Sequence, residues 1–271
     1  AALRFLTIFR SQIPKQMAVQ ALPAVVTLLA SRENVVHTYA ANALERTLTV
    51  RDHPPVGSPP GTRSTLRYTP GDIQPYAQQM LQNLFNVFAM PDSSENEYVM
   101  KATMRLISFM GDSIKPIAGV CLERLSGMVM ETCKNPRNPT FSHYLFESVA
   151  ALVKAGAGDP GLIATFERLL FPPFQHVLQQ DVVEFAPYVF QLLSQMIESH
   201  PGALPGRYMG IFPALLVPML WDRSANVTPL VRLLEAYLRK APNEVHGAGH
   251  IQGILGVFQK LVSSRAQDHH G

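Results

Sequence analysis

Glu97-Tyr98-Val99-Met100, His143-Tyr144-Leu145-Phe146 and Pro187-Tyr188-Val189-Phe190 are three versions of one phrase. Each sets a tyrosine at the start of a run whose apolar residues recur at helical spacing. Tyr98 and Tyr144 are 46 residues apart, Tyr144 and Tyr188 are 44 apart, and Pro229-Leu230-Val231 fills the next slot, 42 residues on. Thr38-Tyr39-Ala40 fills an earlier slot at a longer spacing, which implies an insertion. A period of roughly 40–47 residues with two helices per unit is the mark of HEAT repeats. Each pair in such an array buries its apolar face against its neighbours.

A second phrase alternates with the first. Leu22-Pro23-Ala24, Gln74-Pro75-Tyr76, Lys115-Pro116-Ile117, Pro172-Pro173-Phe174 and Phe212-Pro213-Ala214 place a proline in an apolar helical run. A proline in a helix interior deletes one backbone bond and bends the axis, as first helices of HEAT pairs commonly do. Pro116 fits a helix start better than an interior position. The spacing predicts helix pairs 15–30 with 35–51, 72–90 with 95–110, 114–133 with 140–155, 160–179 with 182–199, and 205–221 with 226–240. Residues 3–9 end one further pair, and 247–265 begin another. Ser94-Glu95-Asn96-Glu97 reads as a capping box, Asp181 with Glu184 as a similar start, and Asp159-Pro160 as a capping acid before a first-turn proline. No sustained alternation of apolar and polar residues points to strands. The expected fold is all-α: an α-solenoid (superhelix) of HEAT repeats, one continuous segment over residues 1–271.

One stretch breaks the pattern. Residues 51–72 hold Pro54, Pro55, Pro59, Pro60 and Pro70 with Gly57, Gly61 and Gly71. The reading is a mobile, exposed, Pro-rich inter-repeat loop at 52–70, made mildly basic by Arg51, Arg63 and Arg67, with trypsin cutting first at Arg63 or Arg67.

Composition narrows the function classes. The chain has 271 residues, 47% of them hydrophobic, 16% charged, and a net charge of +3. That excludes a wholly disordered chain and gives no strong field for nucleic acid or an anionic membrane. The apolar windows 16–31 and 208–221 are too short or too interrupted to span a bilayer. Both ends read as cuts through a longer protein, and no signal peptide is visible. Cys121 and Cys133 lie on one predicted helix, too far apart for a disulfide, and read as buried thiols. Asn226-Val227-Thr228 matches a glycosylation sequon by chance.

Motifs for chemistry are weak. Gly156-Ala157-Gly158-Asp159-Pro160-Gly161 matches a dinucleotide fingerprint literally, but a helix rather than a strand precedes it. His246 and His250 share metal-ligand spacing without a third ligand. His37 and His143, near second-helix starts, suit packing better than catalysis. The chain therefore reads as a non-enzyme without cofactor or metal. A helix-pair array offers instead a face lined by its second helices. Lys101, Arg105, Glu147, Gln191, Gln195, Arg232 and Arg239 are its partner-binding candidates.

Several stretches carry more than a repeat period. Residues Val35-Val36-His37-Thr38-Tyr39-Ala40-Ala41-Asn42-Ala43-Leu44-Glu45-Arg46 resemble the cellular apoptosis susceptibility (CAS) family, the importin-alpha re-exporters of the importin-beta superfamily. So do Ser93-Ser94-Glu95-Asn96-Glu97-Tyr98, Pro187-Tyr188-Val189-Phe190-Gln191, Leu230-Val231-Arg232-Leu233-Leu234 and Gly253-Ile254-Leu255-Gly256-Val257-Phe258-Gln259-Lys260-Leu261. The resemblance covers essentially the whole chain, and the Pro-rich segment is its clearest departure. It implies a middle portion of a nuclear export receptor that binds importin-alpha together with the GTP-bound Ran GTPase and shuttles between nucleus and cytoplasm. It carries over no individual contact residue. The alternative reading is a HEAT scaffold subunit of another assembly, and a third is an enzyme using the 156–161 loop.

Overall fold

The computed structural model describes residues 1–54, 56–57, 59 and 61–267. The chain divides into two compact units, Ala1–Ala155 and Gly156–Gly271. In the first unit the helices are α1 (Ala2–Ile8), α2 (Lys15–Leu29), α3 (Asn34–Leu48), α4 (Pro70–Val87), α5 (Glu97–Met110), α6 (Lys115–Lys134) and α7 (Pro139–Ala155). The first helices α2, α4 and α6 pack as one layer, the second helices α3, α5 and α7 as another, and each pair closes on itself. The layers meet because apolar residues recur every three or four positions. On α5 these are Val99, Met100, Leu106, Ile107 and Met110, all buried.

The second unit holds α8 (Pro160–Gln179), α9 (Ala186–Ser199), α10 (Gly206–Leu215), α11 (Pro218–Trp221), α12 (Ser224–Lys240), α13 (Pro242–Gly247) and α14 (Ile251–Gln267). Its core is strongly aromatic. Phe171 meets Tyr208 edge-on at 4.9 Å, and Phe212 meets Tyr237 at 4.9 Å. All five expected pairs are present, with helices of the expected order and kind. Prolines lie inside α2, α4, α8 and α10, and Pro116 is in the first turn of α6, as read.

Several local expectations are corrected. Pro218 splits the helix expected over 205–221, because its ring cannot continue the turn and its missing amide leaves one bond unmade. Asn96, not Ser94, caps α5, accepting from the Tyr98 and Val99 amides. Asp181 caps nothing, since α9 begins at Ala186. It adopts a left-handed φ of 51°, a conformation aspartate tolerates better than most residues. Asp159 does cap α8.

Strands also occur, against expectation. Arg51–Asp52 and Thr65–Leu66 pair antiparallel as β1 and β2. The segment 51–72 is thus a hairpin stem with a tip; two of its prolines, Pro55 and Pro60, lie outside the described residues. Its far end is not loop at all: Tyr68 is buried, and Pro70 starts α4 behind a Thr69–Asp72 capping box. Arg67 is 15% exposed and paired with Asp52, so of the two arginines expected as first cleavage sites only Arg63 is exposed.

Candidate partner-binding face

The second helices turn one stripe into their layer and another outward. On α5 the outward stripe is Tyr98, Lys101 and Arg105; on α7 it includes Tyr144 and Glu147; on α3, Tyr39 and Arg46. Stacking brings five of the first unit's side chains into contact in two groups. Lys101 Nζ sits 5.5 Å over the Tyr144 ring. Arg105 Nε lies 3.4 Å from Oε1 of Glu45, a carboxylate only 4% exposed. Arg46 approaches the other oxygen at 3.6 Å, which leaves Glu45 Oε2 buried without a hydrogen bond. Two cations thus flank one buried anion, and the outer surface there is cationic. Glu147 is half-buried and makes no ion pair among the described residues.

In the second unit Gln191 is exposed on α9, and Gln195 is half-buried one turn on. Arg232 of α12 reaches across to α9 and grips Glu198 with both ends of its fork, at 3.0 and 2.7 Å. That hydrogen bond, against slight desolvation, holds the Arg232 guanidinium above its usual range. Arg239 pairs with Glu235 one turn back, at 2.5 Å. Arg105, Arg232 and Arg239 therefore already have internal partners, which a protein ligand would have to exchange or share.

Sequence reasoning missed the polar bonds that tie one helix-pair turn to the next. His37 is fully buried, its ring nitrogens 3.0 Å from the Ser31 carbonyl oxygen and 2.9 Å from Ser93 Oγ. Asn34 donates to the Asp92 carbonyl at 2.8 Å, and Asn96 to Thr38 Oγ1 at 2.7 Å. Arg137 pairs with Glu95 at 2.9 Å. Arg223 grips Asp181 through two 2.6 Å bonds, which hold the Asp181 carboxyl below its usual range. A signal was present: Glu95 to Arg137 and Asp181 to Arg223 are opposite charges one repeat apart.

Nothing described gathers catalytic groups. A groove of about 530 Å³ along α4 and α6 is lined by Phe85, Phe88 and Phe141 among others. Among its lining residues Arg137 is paired with Glu95. At the glycine-rich turn, Asp159 Oδ1 accepts from the Gly161 and Leu162 amides, the donors a phosphate would need. A Cβ on Gly156 would lie 2.4 Å from the Phe166 ring, so packing accounts for that glycine. Cys121 and Cys133 are buried, and burial pushes their thiols up to about 11 and about 12. The Asn226 side-chain nitrogen, buried, donates to the Leu220 carbonyl, which withdraws the sequon from modification in this fold. Among the described residues, no three His, Cys, Asp or Glu side chains gather as metal ligands, and no helix is long and apolar enough to cross a membrane.

Comparison with known proteins places these features. The sequence model described as "CAS/CSE protein, C-terminus" matches residues 58–271, and one described as "Cse1" matches residues 1–44. Exportin-2 of Oreochromis niloticus is 44% identical over 273 residues, which is 100% of this chain and 27% of that protein. Exportin-2 of Drosophila melanogaster is 40% identical over 274 residues, with the same coverage. Exportin-2 of Homo sapiens is 40% identical over 272 residues, 99% of this chain. The chain spans 27% of the length of these relatives. Among solved structures, the exportin Cse1 in its cargo-free, cytoplasmic state superposes with a TM-score of 0.79 at 26% identity, over 99% of this chain and 26% of that one. An engineered protein matches in fold alone, with a TM-score of 0.57 at 17% identity, over 87% of this chain and 88% of that one. The all-α, HEAT-type stacking expected from the repeat period is the architecture these comparisons share.

Proposed function

The chain belongs to the CAS/CSE exportin family, and from that premise we propose that it is a segment of a nuclear export receptor. The full-length protein returns importin-alpha from nucleus to cytoplasm as a complex with GTP-bound Ran, and shuttles between the two compartments. The segment contributes helix pairs to one continuous HEAT series and does no chemistry. Its second helices offer Lys101, Arg105 and Glu147 in one unit, and Gln191, Gln195, Arg232 and Arg239 in the other, as protein contacts.

The observation that carries this reading is the match over residues 58–271 to the family's own sequence model, with about 40–44% identity to relatives along the whole chain. Such a receptor works by coupling: one partner and the nucleotide state of the other bias the same helix array, so each raises the other's affinity.

The test uses the full-length protein as bait in a pull-down from cell extract. Retention of importin-alpha with GTP-loaded Ran, and its loss with GDP-loaded Ran, is the expected result. A constant set of bound proteins regardless of nucleotide would replace the receptor with a scaffold subunit.

A further inference from the structure

We infer that the stem of the 51–69 insertion is a strap that locks the corner between α1 and α2, with the Arg67 guanidinium as its latch. The corner needs one. α1 is seven residues long, buries none of them, and has no side-chain cap. In the stretch between the two helices, the Gln12 and Ile13 amides both turn back to the Phe9 carbonyl. The carbonyls of Arg10, Ser11 and Ile13 take no backbone amide among the described residues, and Pro14 has none to give. Backbone carbonyls near a helix C-terminus carry the negative end of its dipole and need donors.

Arg67 supplies them from more than fifty residues downstream. Its Nη1 donates to the Ile13 carbonyl at 3.0 Å and the Arg10 carbonyl at 3.3 Å, and its Nη2 to the Ser11 carbonyl at 3.1 Å. Its Nε donates to Asp52 Oδ1 at 2.7 Å, across the two strands of the stem. One planar, permanently charged group thus satisfies three corner carbonyls and one carboxylate, a task that its rigid fork suits and an ammonium does not.

The stem around Arg67 is built to aim it. The Arg67 amide donates to the Val50 carbonyl at 3.0 Å, next to the β1–β2 pair. The next residue, Tyr68, is 3% exposed and packs in one cluster with Ile13, Ala18 and Val50, against Leu6, Val19 and Phe109. Apolar packing on one side and hydrogen bonds on the other therefore fix the stem to the corner. In a helix-pair array, neighbours touch only neighbours. α1 packs against α3, so whatever fixes the α1–α2 corner sets how stiffly α1 is held to the helix pairs that follow it. The inference rests on residues 9–13 of the corner and on 50–52 and 64–69 of the insertion, and it stands independently of the transport reading.

Amide hydrogen exchange on the whole chain, read by mass spectrometry, tests it. Arg67→Ala should speed exchange at Phe9, Gln12 and Ile13 about tenfold or more, because local opening then breaks fewer charge-assisted bonds. Exchange in α5 and α7 should stay unchanged. Arg67→Lys, which keeps the charge and loses the fork, should give a smaller increase. Asp52→Asn should do the same by loosening the guanidinium without removing it. Arg63→Ala should change nothing. Replacing residues 54–63 by Asn-Gly, a turn suited to a two-strand hairpin, should leave the corner protected. Wild-type protection of the corner in Arg67→Ala would overturn the inference. So would loss of protection on replacing 54–63, which would move the latch to the tip. If Arg67→Ala does not fold, the Arg67→Lys and Asp52→Asn measurements decide.

Discussion

The two units use one helix-pair plan and different means of joining consecutive turns. In Ala1–Ala155 neutral joints, His37 with Ser93, Asn34 with the Asp92 carbonyl and Asn96 with Thr38, stand beside ionic ones, Glu95 with Arg137 and Glu45 with Arg105. In Gly156–Gly271 the joints are ionic and more exposed: Asp181 with Arg223, Glu198 with Arg232, and Asp222 with Lys260. The second unit also breaks the first helix of its 205–240 pair at Pro218 and concentrates its large aromatics, Tyr208, Phe212, Trp221 and Tyr237, in its core. Buried neutral bonds cost most when one partner is removed, because the other is left dry and unpaired. Exposed ion pairs contribute little each and weaken with salt. The second unit thus depends more on aromatic packing, and the first on specific polar contacts between turns.

The sharpest way to break this contrast is to empty the aromatic core. Phe212 is fully buried against Tyr237 and His250. Phe212→Ala should destabilise the second unit by about 3–5 kcal/mol, the range for truncating a buried phenylalanine. Urea unfolding followed by exchange in α12 measures it; a loss below about 1 kcal/mol would mean the aromatics do not carry the unit.

Next in size is the first unit's polar joint. His37→Leu removes one of the two side-chain partners of Ser93 Oγ, Asn34 remaining, and leaves the Ser31 carbonyl without its partner, at a cost of about 1–3 kcal/mol. This loss should be the same in about 0.1 M and about 1 M salt, although the Debye length shrinks from roughly 10 Å to roughly 3 Å between them. Chemical denaturation by urea at both salt levels checks it, and a salt-dependent loss would show that the joint is ionic after all.

Acid should act on both units with one sign. The two Arg223 bonds hold the Asp181 carboxyl down. For Asp72, partial burial pushes the carboxyl up, but bonds from Lys15 and Thr69 outweigh it and the net shift is down. A carboxyl depressed in the folded state stabilises above the unfolded value of about 3.9, and the stabilisation is lost as pH falls through the lower folded value. Thermal melts between about pH 6 and pH 2 should therefore fall below about pH 4. Arg223→Ala should flatten the second unit's share of that slope, and an unchanged slope would remove Asp181 from the account.

The smallest expected effect is at Arg239, whose pairing with Glu235 is an exposed contact within one helix. Arg239→Ala should cost no more than about 0.5 kcal/mol. The same variant in the full-length protein reads a partner contact directly: weaker importin-alpha retention at unchanged stability would assign Arg239 to the binding face.

Much of this architecture was legible in the chain alone. Tyr98, Tyr144 and Tyr188 marked three second helices, and Asp159 marked the start of α8, because helical periodicity and end-capping are local properties. The candidate face was legible as a set of outward positions, but not as a set of available ones. Arg105 and Arg232 look alike in sequence; one leans on buried Glu45 of a neighbouring helix, the other is clamped by Glu198. Two of the failures concern helix starts. Ser94 and Asp181 have the chemistry of caps, yet Asn96 and Arg223 took precedence through contacts with Thr38 and Asp181 respectively.

By itself the sequence determined the repeat, the order and kind of its helices, and the family to which the chain belongs, since these reside in periodicity and in residue identities along the chain. The tertiary structure alone decided what the insertion does. Prolines and glycines at 54–61 announce a break in the helices, but nothing local says that Arg67 will find the carbonyls of Arg10, Ser11 and Ile13, or that Tyr68 will be buried beside Ile13. Those pairings join residues more than fifty positions apart. They exist because folding brings a corner whose carbonyls lack backbone donors within reach of a guanidinium, and a partly buried carbonyl such as that of Ile13 is costly to leave without one.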